Sequence, residues 1–246
     1  MKILDEHSQD FIFLWLMHRI AEVIKDHAIL KGGQLLRLFE CPRQTSDLVY
    51  TFIPYKSKNE IVDELLKLVN ELEGAEIRHT LNSKTLTILI KTKNISLQIE
   101  ANVALECRSI AATTNALCRP LNQIPRVISI MSPDVALSHK MAAWNERRLI
   151  RDLYDIYYFY RIIGAMPDLT VLEKRLARIE SRIPKLKSKK KMTLTELKFE
   201  ISNTVNQLKM EEVKAELFGT LPSEEMPNLD LKIRAAVNEL MEKIVN

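Results

Sequence analysis

Residues Ala28 to Phe52 read AILKGGQLLRLFECPRQTSDLVYTF, and the parsing of this stretch decides the fold. Ala28-Ile29-Leu30 is a short apolar run of the kind that forms a buried strand. It runs into Lys31-Gly32-Gly33, where paired glycines let the backbone take unusual φ values and bring bare N–H groups close to a ligand. Leu35, Leu36, Leu38 and Phe39 then fall at helical spacing, so a brief amphipathic helix follows, its positive end toward the turn. Fourteen positions after Gly33, Asp47 opens a second strand, Leu48-Val49-Tyr50-Thr51-Phe52. A glycine turn opening a helix, with a strand-borne carboxylate soon after, suits nucleotide chemistry: the turn holds phosphate and the carboxylate holds Mg²⁺. The same residues also fit a plain chain reversal and a solvated acid.

Outward from this stretch, the segment before it is helical: Ser8 is an N-cap, with Phe11, Leu14, Trp15, Ile20 and Ile24 on one stripe. After it, Ser57-Lys58-Asn59-Glu60 is a capping box ahead of Ile61, Leu65, Leu68 and Val69. Three β-like segments follow, Glu76–Thr80, Thr85–Lys91 and Ile95–Asn102, with hairpin turns at Asn82-Ser83 and Lys93-Asn94. In the third, Ile95, Leu97 and Ile99 alternate with Ser96, Gln98 and Glu100, so Glu100 faces the less apolar side. If Asp47 does likewise on a neighbouring strand, two carboxylates can share one metal. Ala101 to Pro125 reads as an irregular connection and Arg126–Ile130 as a closing strand.

The remainder reads as helical. Ser132-Pro133-Asp134 is a strong helix start, and that helix carries Lys140. A second begins near Leu149 with Arg151, Asp152 and Asp155, the two acids sharing a face with Arg148 and Arg151 within reach. Helices are expected over Leu169–Ile183, from the capping box Thr193-Leu194-Thr195-Glu196 to about Phe218, and over Leu229–Val245. The expected architecture is a mixed α/β (α+β) sheet domain over residues 1–127 and a helical bundle over 128–246.

The chain has 246 residues, a formal net charge of +4 and three cysteines. Cys41, Cys107 and Cys118 show no metal-ligand spacing and are expected to be reduced thiols. No apolar run approaches a membrane span, and Met1–His7 carries acids where a secretory leader needs a basic start, so the expected setting is cytoplasmic. Charge is uneven: from Lys174 to Lys191 nine basic residues stand against one acid. That excess suits either a phosphate-backbone contact or a solvated helix face.

Three stations together, Leu30-Lys31-Gly32-Gly33 with Arg43-Gln44-Thr45-Ser46-Asp47-Leu48, the strand ending Ile99-Glu100, and Lys140 with Arg148, Arg151-Asp152-Leu153-Tyr154-Asp155, resemble the AbiEii/AbiGii-type nucleotidyltransferases. These are toxins of abortive-infection and toxin–antitoxin systems with a DNA polymerase β-like fold. The resemblance spans roughly Lys31 to Phe159. It implies a minimal nucleotidyltransferase mixed sheet and Mg²⁺- or Mn²⁺-dependent transfer of a nucleotide from an NTP to an acceptor, RNA such as tRNA, with an antitoxin protein as partner. It would place Lys31, Gly32, Gly33, Gln34 and Arg151 against the nucleotide and make Asp47 and Glu100 the metal ligands. Glu100 would alternatively accept the attacking hydroxyl's proton. Lys140 would neutralise phosphate charge, with Asp152 beside it. Two positions depart from the family pattern. Val49 stands where a second acid is expected, and Gln34 where Ser or Thr usually follows the glycines. Loss of that acid leaves a second reading, a fold that binds nucleotide, RNA or a protein partner without turnover.

Overall fold

The structure is a computed structural model that describes residues 8–181, 183–184 and 189–244. The chain divides into two compact units at Ser132–Pro133.

The first unit opens with α1 (Gln9–Ile24), whose first turn is held by Phe11 N–H donating to Ser8 Oγ at 3.2 Å. Then come β1 (Ala28–Lys31), α2 (Gly33–Leu38), β2 (Asp47–Phe52) and α3 (Asn59–Val69). Glu60 closes the start of α3 by accepting from the backbone N–H of Lys56 and Ser57 at 2.9 and 2.6 Å. Three strands follow, β3 (Glu76–Leu81), β4 (Leu86–Lys91) and β5 (Ser96–Val103), and then β6 (Ser109–Thr113), a short α4 (Asn115–Cys118) and β7 (Val127–Met131). The β3–β4 turn is the expected one: Asn82 Oδ1 accepts from the N–H groups of Lys84 and Thr85.

These strands make one seven-stranded mixed sheet ordered β3-β4-β5-β2-β1-β7-β6. The pairs β1–β7 and β2–β5 are parallel, the others antiparallel. Leu48, Tyr50, Ile88, Ile90, Leu97 and Ile99 are buried, as period-two alternation requires of a sheet with one face on the core. Strand β6 corrects the expectation of an irregular connection. Ser109-Ile110-Ala111-Ala112-Thr113 is mostly exposed and carries no alternation. It is extended because it pairs along its whole length with β7, from Ser109↔Met131 to Thr113↔Val127, a case where pairing decides over propensity.

The second unit contains α5 (Pro133–Arg147), α6 (Ile150–Tyr157) running into a π-helical turn at Tyr158–Ile162, α7 (Leu169–Leu176), α8 (Leu194–Gln207), α9 (Met210–Leu217) and α10 (Leu229–Ile244). Two expected helices are shorter than anticipated. The helix from Leu169 ends at Leu176 rather than Ile183, because Met192 N–H takes the Leu176 carbonyl at 2.9 Å and Ile179 N–H takes that of Lys190. The helix from Thr193 does not reach Phe218. Leu208 is extended (φ −60°, ψ 127°), and Arg234 donates to the carbonyls of Val205 and Leu208 at 3.1 and 2.8 Å. A cation thus serves the carbonyls that a helix end leaves over. Lys209 N–H then donates to Glu212 at 2.9 Å to start α9. At Thr193 the capping box with Glu196 is complete.

Candidate active site

The first unit brings the glycine turn and both strand carboxylates onto one face. Lys31 pairs with Val49 across β1–β2, and Val49 pairs with Glu100 across β2–β5. Directly paired residues point to the same side of a sheet, so Lys31, Val49 and Glu100 form one row. In the next row Asp47 pairs with Gln98, placing Asp47 one step along the strand from Val49 on that side. Gln98 Nε2 donates to Glu100 Oε1 at 2.7 Å, and Ser46 Oγ donates to Asp47 Oδ1 at 3.1 Å.

The turn lies against the start of β2. Gly32 has φ 78° and ψ −153°, a region essentially confined to glycine. A Cβ there would meet Val49 Cγ2 at 3.0 Å, and one on Gly33 would meet the Thr45 side chain at 2.9 Å. Gly32 thus packs on Val49 and Gly33 on Thr45. Asp47, midway between those two residues in the chain, stands level with the turn. Gln34 follows at the start of α2, wholly buried, and neither atom of its amide has a hydrogen-bond partner among the described residues. Leaving such a group unpaired costs about 1–3 kcal/mol. Burial pushes the Cys107 thiol's pKa up, and the Lys31 ammonium pulls it partly back.

Asp47 and Glu100 are both oxygen donors, which suits one hard cation that completes its shell with phosphate oxygens and water. Val49 occupies the middle of the row, and among the described residues no group of three or more His, Cys, Asp or Glu side chains gathers anywhere.

In the second unit the motif residues form a buried ionic cluster. Asp152 and Asp155 are both 0 % exposed, and Lys140 reaches Asp155 at 2.5 Å and Asp152 at 3.7 Å. Arg147 closes the cluster with a bidentate pair to Asp152 at 2.6 and 3.0 Å. This corrects the pairing expected from spacing. Arg148 instead stacks on Trp144, 4.3 Å from the ring, and pairs with Glu200 at 3.1 Å. Arg151 is exposed, and its backbone N–H donates to Glu216 at 3.0 Å. The reason is geometric: α5 ends at Arg147 and Arg148 turns to φ 57°, so helical spacing stops predicting faces there. Arg147 and the extent of Asp155's burial were missed. The available signal was two aspartates at i, i+3 in a helix that is otherwise apolar and aromatic apart from Arg151.

The basic stretch is less bare than its composition. Arg175 pairs with Glu146 at 3.0 Å and Lys189 with Glu196 at 3.1 Å, both acids lying outside the run. Arg178 faces Glu180 at 3.5 Å. Arg182, Lys185 and Lys187 lie outside the described residues. Among the described residues no helix is long and apolar enough to cross a membrane.

A mixed sheet with a glycine turn feeding a short helix beside strand carboxylates, followed by a helical unit, is the architecture of a nucleotidyltransferase. The family model described as "Nucleotidyl transferase AbiEii toxin, Type IV TA system" matches residues 15–239, and the chain belongs to that family. The match runs well past Phe159, so the C-terminal helices are part of the family pattern and not merely compatible with it. The sequence matches none of the curated proteins compared with it. Among solved structures, JHP933 from Helicobacter pylori superposes with a TM-score of 0.55 at 13% identity, over 97% of this chain and 94% of that one. The CdnE cyclic dinucleotide synthase of Elizabethkingia meningoseptica, solved with GTP and Apcpp, aligns at a TM-score of 0.29 and 14% identity, over 100% and 95%.

Proposed function

We propose that this chain is a metal-dependent nucleotidyltransferase that moves a nucleotide from an NTP to an RNA acceptor such as tRNA, as the toxin of a toxin–antitoxin pair. The observation that carries the reading is the single face on which Asp47 and Glu100 stand beside the Gly32-Gly33 turn. A bound divalent cation, Mg²⁺ or Mn²⁺, would be held by these two carboxylates and would offset charge on the phosphates. The chain's own part is positional. The turn lets phosphate approach bare backbone, Lys31 adds a fixed positive charge, and the buried Gln34 amide gains a partner if a phosphate oxygen reaches it. Gln98 orients Glu100 by its hydrogen bond, leaving the second carboxylate oxygen for a cation or for the acceptor hydroxyl's proton. In the second unit, the family resemblance assigns Lys140 to phosphate-charge neutralisation, and its bonds to Asp152 and Asp155 hold that ammonium in one place. Arg151 is assigned to the nucleotide on the same ground. The exposed lysines of the 174–191 stretch are the proposed RNA contact, and the family's type IV system supplies the antitoxin partner.

The test is transfer of label from each α-labelled NTP to total RNA with Mg²⁺ or Mn²⁺. Labelling by wild type that disappears in Asp47→Asn and Glu100→Gln, both folded by circular dichroism, is expected; undiminished labelling in those variants removes the site assignment. Val49 favours a second reading, a nucleotide- or RNA-binding protein without turnover. Under that reading no RNA is labelled, while salt-sensitive RNA affinity persists in Asp47→Asn and falls when Lys189, Lys190 and Lys191 are neutralised.

A further inference from the structure

The face that carries Asp47 and Glu100 does not end at β5. Strand pairing continues its rows onto the β3–β4 hairpin: Glu100 faces Thr87 and Thr87 faces Thr80, while Gln98 faces Leu89 and Leu89 faces Arg78. Paired residues share a side of the sheet, so Thr80, Thr87, Leu89 and Arg78 lie on the carboxylate side. Thr80, Leu89 and Arg78 are exposed and Thr87 is half-buried. We propose that this outer part of the sheet is the docking surface for the acceptor, and that the acceptor it fits is the unpaired 3′ end of an RNA. The inference rests on the nucleotidyltransferase reading and names the side from which the acceptor enters.

The direction of entry follows from the chemistry. The acceptor's hydroxyl oxygen bonds to the α-phosphorus as the bond to pyrophosphate breaks, and its proton passes to Glu100 or to water. The entering and leaving oxygens stand roughly in line. The Gly32-Gly33 turn, at the end of β1, is the place for the leaving pyrophosphate. Strand order from there is β1, β2, β5, β4, β3, so the line from the turn across Asp47 and Glu100 continues over β4 and β3. Those two strands extend the face by about 10 Å beyond β5.

Charge and exposure fit an RNA end. From Glu76 to Ile95 four basic residues stand against one acid. Arg78 is paired with that acid, Glu76, but both side chains are exposed. Such surface pairs contribute little, so the guanidinium can exchange the carboxylate for a phosphate. The threonine hydroxyls donate and accept, as contact with a ribose 2′-hydroxyl requires. Leu89 breaks the alternation of β4. It is 43 % exposed, between Thr87 and Lys91 where a polar residue is expected. An apolar spot between Gln98 and Arg78 is a seat for the flat side of an unpaired base, which a paired end keeps inside its own stack. Buried Ile88 and Ile90 fix the strand from beneath, and Lys58 Nζ holds the hairpin tip through the Ser83 carbonyl at 3.1 Å.

The test uses the full chain and two fluorescein-labelled RNAs, a blunt-ended hairpin and the same hairpin with an unpaired 3′ tail, followed by fluorescence anisotropy across a range of salt. Wild type is expected to bind the tailed RNA more tightly. Leu89→Asp should weaken tail binding by about tenfold and bring the two RNAs together, as loss of one base contact predicts. Arg78→Gln should weaken it by about threefold or more and reduce the salt slope by about one. Both changes replace exposed side chains, and circular dichroism checks that each variant folds. Equal affinity of wild type for the two RNAs, or wild-type affinity for the tail in both folded variants, overturns the docking surface and leaves the nucleotidyltransferase reading intact. Tail binding that is lost in the variants, with no label transferred from any NTP by wild type, supports the surface and overturns turnover instead.

Discussion

Lys140→Met is the substitution whose cost follows most directly from the structure. It leaves Asp155, 0 % exposed, without an ammonium that lies 2.5 Å away, while Asp152 keeps the bidentate guanidinium of Arg147. Removing one partner of a buried ion pair costs about 3–5 kcal/mol, a large share of the roughly 5–15 kcal/mol that holds a domain folded. The reverse change, Asp155→Asn, is milder. Lys140 is 17 % exposed and retains Asp152 at 3.7 Å, so a loss of about 1–2 kcal/mol is expected. Urea unfolding followed by circular dichroism reads both losses. The double variant Lys140→Met/Asp155→Asn should be more stable than Lys140→Met alone, since it removes the carboxylate that the ammonium served. A double variant worse than Lys140→Met, or equal losses in the two single variants, would refute the account of the cluster as mutually neutralising.

Gly32→Ala should cost about 1–3 kcal/mol in urea unfolding, and more than Gly164→Ala, which shares the positive φ (77°) but would meet nothing within 4 Å; equal losses would mean the Val49 contact is slack. For His18, burial first and Arg126 second lower the pKa to about 4. Between about 4 and its ordinary 6.5 the unfolded chain binds more protons than the folded one, so wild-type stability should fall as pH drops through that window and stay level above it. His18→Gln, which can still bond Thr114, should flatten that slope. Arg234→Met should release the carbonyls of Val205 and Leu208, and faster amide hydrogen exchange at the end of α8 and start of α9 is the expected readout.

The central stretch was legible because its signals are local and redundant. The glycine pair, the apolar spacing of Leu35 and Leu36, and the alternation around Leu48 and Ile99 each dictate backbone geometry from neighbours in sequence. The neighbouring placement of Asp47 and Glu100 was legible for the same reason, once each strand's polar side was assigned. What escaped depends on partners far along the chain. β6 has no pattern of its own and is a strand only because β7 binds it. The break at Leu208 is made by Arg234, 26 residues later. Arg147 rather than Arg148 or Arg151 holds Asp152 because the helix ends between 147 and 148. That Arg175 and Lys189 of the basic stretch are paired was not legible either, because their partners Glu146 and Glu196 lie outside it in sequence.

The parallel pairing of β1 with β7 also dictates when the sheet can close during synthesis. Leu30 meets Ile130, so β1 waits while a hundred further residues emerge, whereas the β3–β4–β5 meander forms from local contacts within a few residues. Until Met131 has left the ribosome, the interior strand β1 offers a bare apolar edge, the kind that pairs with other chains. The helices of the second unit begin at Pro133, directly after that last strand is delivered, so the sheet can be sealed before any bundle helix competes for it. Truncations ending before Val127 should therefore aggregate, whereas those ending just past Met131 should keep the first unit in solution.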